Sequence, residues 1–140
     1  MISYRIEPAD LHGHHFHVTL EVPQPAQRQI VSLPVWIPGS YLVREFSRHL
    51  SQLQASQGQR ACQIEQLDKC RWAVACIGGA PLRLRYEIYA FDTSVRTAFL
   101  DAQRGFFNGT SLCLRVEGRD AEPHRLRVGK LPAGWLVATA

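Results

Sequence analysis

An all-β fold, an antiparallel β-sandwich of roughly eight to ten short strands with little helix, is what this sequence predicts. Three observations predict it. Apolar residues recur with a period of two through most of the chain. Turn residues punctuate it about every 8–12 positions. No amphipathic stretch of helical length appears.

The elements follow in order. Ile2, Tyr4 and Ile6 alternate with Ser3, Arg5 and Glu7. Phe16, Val18, Leu20 and Val22 alternate with His15, His17, Thr19 and Glu21, which makes this run the cleanest half-buried strand. Pro23 to Gln27 breaks it. Gln29 to Ile37 reads as a strand, and Pro34 points to an edge or a bulge. Pro38-Gly39-Ser40 ends it with turn chemistry. Leu50 to Ser56 fits a strand or a short helix. Gln57-Gly58-Gln59 is a hairpin turn leading to strands at Cys62–Leu67 and Arg71–Cys76, and Gly78-Gly79 is a second turn. Leu82, Leu84, Tyr86, Ile88 and Ala90 mark a long strand. Phe107–Val116, Arg125–Val128 and Trp135–Ala138 read as the last strands. The chain stops just after a strand with no polar tail, which reads as truncation.

The 140 residues fit a single domain, 1–140, and a hydrophobic share of 46% is enough for a sizeable core and argues against global disorder. The net charge of +4 is a mild excess spread along the chain; it allows an acidic partner without demanding one. Cys62, Cys70, Cys76 and Cys113 form no Cys-x-x-Cys pair, and Met1 to Glu7 lacks a secretory signal pattern. Reduced thiols in the cytoplasm are the reading, and no apolar stretch approaches membrane-spanning length.

Common chemistry finds little purchase. His12, His14, His15 and His17 are rich in potential ligands, but no third ligand converges with the pair His15 and His17 that shares a strand face. Ser111 lies outside Gly-x-Ser-x-Gly, and no His-Glu-x-x-His or phosphate-cradling glycine loop is present. Arg104-Gly105-Phe106 begins like an RNA-recognition signature, but Phe107 and Asn108 depart from it and the helices of that fold are missing. Asn108-Gly109-Thr110 fits a glycosylation triplet, though a turn is its simpler meaning.

Two stretches remain. Asp92 to Asn108 mixes Asp92, Arg96, Asp101 and Arg104 with Phe106 and Phe107 in what reads as a long irregular connection. Leu33 to Phe46 sets Tyr41, Arg44 and Glu45 among aromatic residues; an interface and an internal ion pair explain that charge pair equally well.

Leu33-Pro-Val-Trp-Ile-Pro-Gly-Ser-Tyr-Leu-Val-Arg-Glu-Phe46, Tyr86-Glu-Ile-Tyr-Ala-Phe-Asp-Thr-Ser-Val-Arg-Thr-Ala-Phe-Leu-Asp101 and Arg104-Gly-Phe-Phe-Asn-Gly-Thr-Ser111 resemble the N-terminal domain of glycyl aminopeptidase-type zinc metallopeptidases. Leu67-Asp-Lys69 before Trp72 is similar too. The resemblance runs from Tyr4 to about Thr139. It implies a β-rich N-terminal domain built as a saddle-like sheet, in a bacterial protein with a thermolysin-like catalytic domain and a C-terminal PDZ domain downstream. Zinc and the catalytic residues belong to that catalytic domain, so no catalytic or metal-binding residue carries over to this chain. The implied partners are the protein's own catalytic domain and its peptide substrates, with neither nucleic acid nor membrane. Tyr41, Arg44, Asp92, Arg96, Asp101, Arg104, Phe106, Phe107 and Asn108 are the candidate interdomain or substrate-cleft surface. Self-association of the isolated domain through Phe99, Phe106 or Phe107 is a further expectation. The rival reading is a stand-alone binding module for peptide or carbohydrate, with an aromatic-lined groove of its own.

Overall fold

The computed structural model describes residues 1–34, 46–92 and 98–139. Strands dominate it: β1 (Ile2–Asp10), β2 (His15–Val22), β3 (Arg28–Ser32), β4 (Leu50–Gln57), β5 (Arg60–Ala61), β6 (Ile64–Asp68), β7 (Arg71–Ala75), β8 (Leu82–Tyr89), β9 (Ala98–Leu100), β10 (Gly105–Phe107), β11 (Arg115–Val116) and β12 (His124–Val128). The helical content is a 3-10 turn at Phe46–His49 and α1 (Gly109–Leu112).

The strands form a six-stranded sheet in the order β12-β1-β2-β8-β4-β5, a four-stranded sheet β11-β3-β7-β6 and the hairpin β9-β10. The period-two pattern dictates which face is buried. Ile2, Tyr4 and Ile6 on β1, Phe16, Val18, Leu20 and Val22 on β2, and Leu82, Leu84, Tyr86 and Ile88 on β8 all point into one core. The second sheet supplies Val31, Trp72 and Val74 to the same core, and the stretch from the end of α1 into β11 supplies Leu112, Leu114 and Val116. The all-β sandwich is thus built by burying one face of each sheet.

Buried polar groups join the layers. Tyr4 Oη donates to the Leu114 carbonyl at 2.6 Å. Tyr86 Oη donates to the Leu112 carbonyl at 2.6 Å and accepts from the Leu114 amide at 3.1 Å. Burial pushes both phenols up from their usual range. Gln57 closes the turn before β8: its amide donates to Ile77 and Ala80 carbonyls at 3.0 and 2.9 Å and its carbonyl accepts from Ile77 N–H at 2.8 Å. That turn needs Gly78, whose φ is 65°.

Several elements differ from the sequence reading. The Asp92–Asn108 stretch contains the β9–β10 hairpin; its strands are only three residues each, too short for a period-two pattern to register. Phe107–Val116 is not one strand. Asn108 opens the short α1, which turns the chain away before β11 pairs with β3. Trp135–Ala138 forms no strand. Gly134 takes φ 83° and Trp135 N–H closes a turn onto the Pro132 carbonyl, while Leu136 stays 95% exposed. β12 pairs with β1 in parallel, an exception to the antiparallel plan. The strand read at Gln29–Ile37 spans Arg28–Ser32; residues 35–37 lie outside the described residues. Leu50–Ser56 resolves as strand β4. A bulge between Ser51 and Gln54, with Gln52 at φ 57°, interrupts its alternation and explains the ambiguous pattern.

Candidate functional site

The β9–β10 hairpin sits at one end of β2 and β8. Ala90 N–H bonds to the His14 carbonyl at 2.7 Å, Leu100 N–H to the Ala90 carbonyl at 2.9 Å and Asp92 N–H to the Ala98 carbonyl at 3.1 Å. His14 Nδ1 donates to the Leu100 carbonyl at 2.5 Å. These bonds lash the hairpin to the sheet although it shares no ladder with it.

Aromatic rings gather around this joint. The His14 ring lies 3.9 Å from Phe91, and Phe91 stacks on Phe99 at 5.3 Å. The Arg104 guanidinium lies over Phe99, 5.0 Å from its centroid. His14, His15 and His49 all pack near Tyr89, at 6.1, 5.7 and 6.2 Å. Desolvation, then the neighbouring Arg48, lower the pKa of His49 below the ordinary imidazole value. Phe91 is 53% exposed, Phe106 44% and Tyr89 42%. Three large aromatic groups are thus exposed around this joint, with Arg104 beside them.

Of the nine residues expected to form a surface, Tyr41, Arg44 and Arg96 lie outside the described residues. Asp92, Asp101, Arg104, Phe106, Phe107 and Asn108 come together on or beside the hairpin. Their roles divide. Phe106 and Arg104 are at the surface, whereas Phe107 turns inward onto Phe16 at 5.5 Å. Phe99 is 8% exposed, so a self-contact through Phe99 is corrected: β9 is buried along its length. Asp101 serves the turn itself, accepting the backbone N–H groups of Gln103 and Arg104 at 2.8 and 2.9 Å. His14, His49, Tyr89 and Phe91 are members that sequence reasoning missed. Phe91 lay within the Tyr86–Asp101 motif, but the histidines meet it only through the fold.

The Asp101 bonds carry a pH consequence. Hydrogen bonds from Gln103 and Arg104 amides hold its carboxyl below the ordinary value of 3.8. A depressed folded-state pKa means stabilisation that is fully present above that ordinary value and is lost as pH falls through the lower folded one. Acidification should therefore loosen the hairpin turn below about pH 4. The protection factor of the Arg104 amide, its exchange rate relative to the intrinsic rate at each pH, checks this; protection that is unchanged between neutral and strongly acid conditions counts against it.

No group of three His, Cys, Asp or Glu gathers to hold a metal ion among the described residues. No donor set among the described residues fits zinc. No helix among them is long and apolar enough to cross a membrane, which says nothing of a β-barrel.

Residues 3–140 match the family described as Peptidase M61 N-terminal domain. The chain belongs to that family. A crystal structure of an aminopeptidase N family protein from Idiomarina loihiensis is similar to this M61 N-terminal domain, with a TM-score of 0.89 and 46% identity over 92% of the chain. The chain spans 22% of the length of that protein. Among curated proteins none matches it.

Proposed function

We propose that this chain is the non-catalytic N-terminal domain of a zinc-dependent aminopeptidase-type protease. In this reading the aromatic edge at Tyr89, Phe91 and Phe106 packs on a catalytic domain and helps to shape its substrate cleft. The exposed aromatic patch beside the β9–β10 hairpin carries the proposal. A lone sandwich gains nothing by leaving three such rings in water, whereas a domain spanning about a fifth of a longer protein has a neighbour to cover them. Zinc, peptide hydrolysis and the proton-handling residues are assigned to that neighbour. The proposed role of this domain is to position and enclose.

The test uses the longer protein. Phe91→Asp together with Phe106→Asp places two desolvated carboxylates in the proposed interface. Chelator-sensitive hydrolysis of Gly- and Ala-linked chromogenic substrates should fall by about tenfold or more in kcat/KM, and protease should cleave between the domains sooner. Unchanged kinetics and unchanged proteolysis would reject this edge as the interface. Absence of any peptidase activity in the parent would reject the enzymatic reading.

A further inference from the structure

The opposite face of the six-stranded sheet has a different character. The same alternation that buries Ile2, Tyr4 and Ile6 turns Ser3, Arg5 and Glu7 outward, and the pattern repeats on β2 and β8, while the edge strand β12 is exposed at each of its first four residues. These outward side chains line a groove of about 970 Å³. Six of the lining residues are cations and three are carboxylates.

The three carboxylates are already engaged. Glu21 pairs with Arg83 at 2.5 Å, and Glu87 meets His17 at 2.7 Å. Glu7 has Arg5 at 3.6 Å and Lys130 at 3.5 Å. Arg85, Arg125 and Arg127 make no ion pair among the described residues. Register sets them in rows. Arg127 stands opposite Arg5, Arg5 opposite Thr19, and Thr19 opposite Arg85. Arg125 stands opposite Ser3 in the adjoining row. Arg5 and Arg85 are two strand spacings apart, about 10 Å. Thr19 between them is a short hydroxyl that leaves the floor open.

We propose that this groove binds an acidic polypeptide segment, with Arg85, Arg125 and Arg127 receiving its carboxylates. Guanidinium forks match carboxylates in bidentate geometry, and these three are the groove cations left without a partner. The occupant is a polypeptide and not a nucleic acid for two reasons. Nucleic-acid grooves interleave cations with exposed aromatic platforms for the bases; of the rings lining this groove, Tyr4 and Tyr86 are buried below it and the His17 imidazole is tied to Glu87. The paired carboxylates Glu7, Glu21 and Glu87 interrupt the run of unpaired cations, a spacing that suits the separated carboxylates of a peptide better than a uniformly charged backbone.

Fluorescence anisotropy on the 140-residue chain tests this. The probe is a labelled peptide with glutamate at every third position; the controls are its glutamine counterpart and labelled oligothymidylate. The expected result is saturable binding of the glutamate peptide alone, weakening as salt rises. Arg85→Gln with Arg127→Gln should lower that affinity at least tenfold. Arg28→Gln on the other sheet should leave it unchanged. Both substitutions replace exposed side chains, and a thermal melt verifies that each variant folds. Equal affinity in the double variant, no saturable binding at low salt, or tighter binding of oligothymidylate would each overturn the proposal. The result does not depend on peptidase activity in the parent, so the two readings fail separately.

Discussion

Leu84→Ala is expected to destabilise the domain by about 3–4 kcal/mol, the largest loss from any single truncation proposed here. Leu84 is fully buried on β8, the strand with neighbours on both sides in the middle of the large sheet. Across one ladder it faces Leu20 and across the other Ala55. Ala55 is too small to move into the space, and Leu20 is itself fixed among buried residues. The cavity therefore stays open, and its cost adds to the lost transfer free energy of the removed methyl groups. Urea unfolding should show a lower midpoint with the slope unchanged. Leu136→Ala, at a side chain 95% exposed, should stay within about 0.5 kcal/mol of the parent. A loss under about 1 kcal/mol at Leu84 would mean that the core is looser than its burial implies.

The parts of the fold legible in the sequence are those where one face is buried and the other wet over many residues. β1, β2 and β8 run eight or nine residues each with uninterrupted alternation along most of their length, and their faces could be assigned from the side-chain order alone. Legibility fails where the physical signal is short or non-local. β5 and β11 are two residues each, held by pairing, β5 across a tight turn with β4 and β11 with the distant β3, and not by their own pattern. β4 carries its irregularity in the backbone, at a bulge that shifts the side chains by one position. The late strand read at Trp135–Ala138 had suitable residues, but the turn with Gly134 at φ 83° and Trp135 N–H on the Pro132 carbonyl leads into residues that join no ladder, although β12 is itself an edge strand.

The candidate site divides in the same way. Phe106 and Arg104 were visible because a charged group and an aromatic group crowd into a short connection. Asp101 was visible for the same reason, yet its carboxylate is spent on two backbone amides of its own turn. Residue type could not separate a turn-former from a surface charge; hydrogen bonds do. His14 and Phe91 are 77 positions apart in sequence and 3.9 Å apart at their ring centroids, a contact no local pattern encodes. The outer groove was legible residue by residue, since Arg5, Arg83 and Arg85 stand at polar positions of alternating strands. What the sequence could not assign was the register, which decides that Glu21 neutralises Arg83 and leaves Arg85 without a carboxylate.

Tyr86→Phe isolates the polar part of the core. The substitution removes one oxygen and leaves the ring, so packing is nearly conserved and no large cavity forms. That oxygen serves both the Leu112 carbonyl and the Leu114 N–H. Leu112 and Leu114 are fully buried, so both backbone groups would be left in an apolar surrounding with no replacement partner close by. The expected cost is about 2–4 kcal/mol, near the upper range for a single hydroxyl because two groups are orphaned. Tyr4→Phe provides the internal comparison. Tyr4 donates only to the Leu114 carbonyl, so its loss orphans one group and should cost about half as much. The two residues lie on neighbouring parts of the same buried face and act on the same connection, which makes their ranking more informative than either value. Chemical denaturation gives the two losses, and amide exchange at Leu114 should accelerate in Tyr86→Phe beyond what the global loss explains. If Tyr4→Phe costs as much as Tyr86→Phe, the connection is held by packing alone. If the order is as expected, the hydroxyl of Tyr86 is what fixes the path from α1 into β11, and with it the placement of the hairpin that precedes α1.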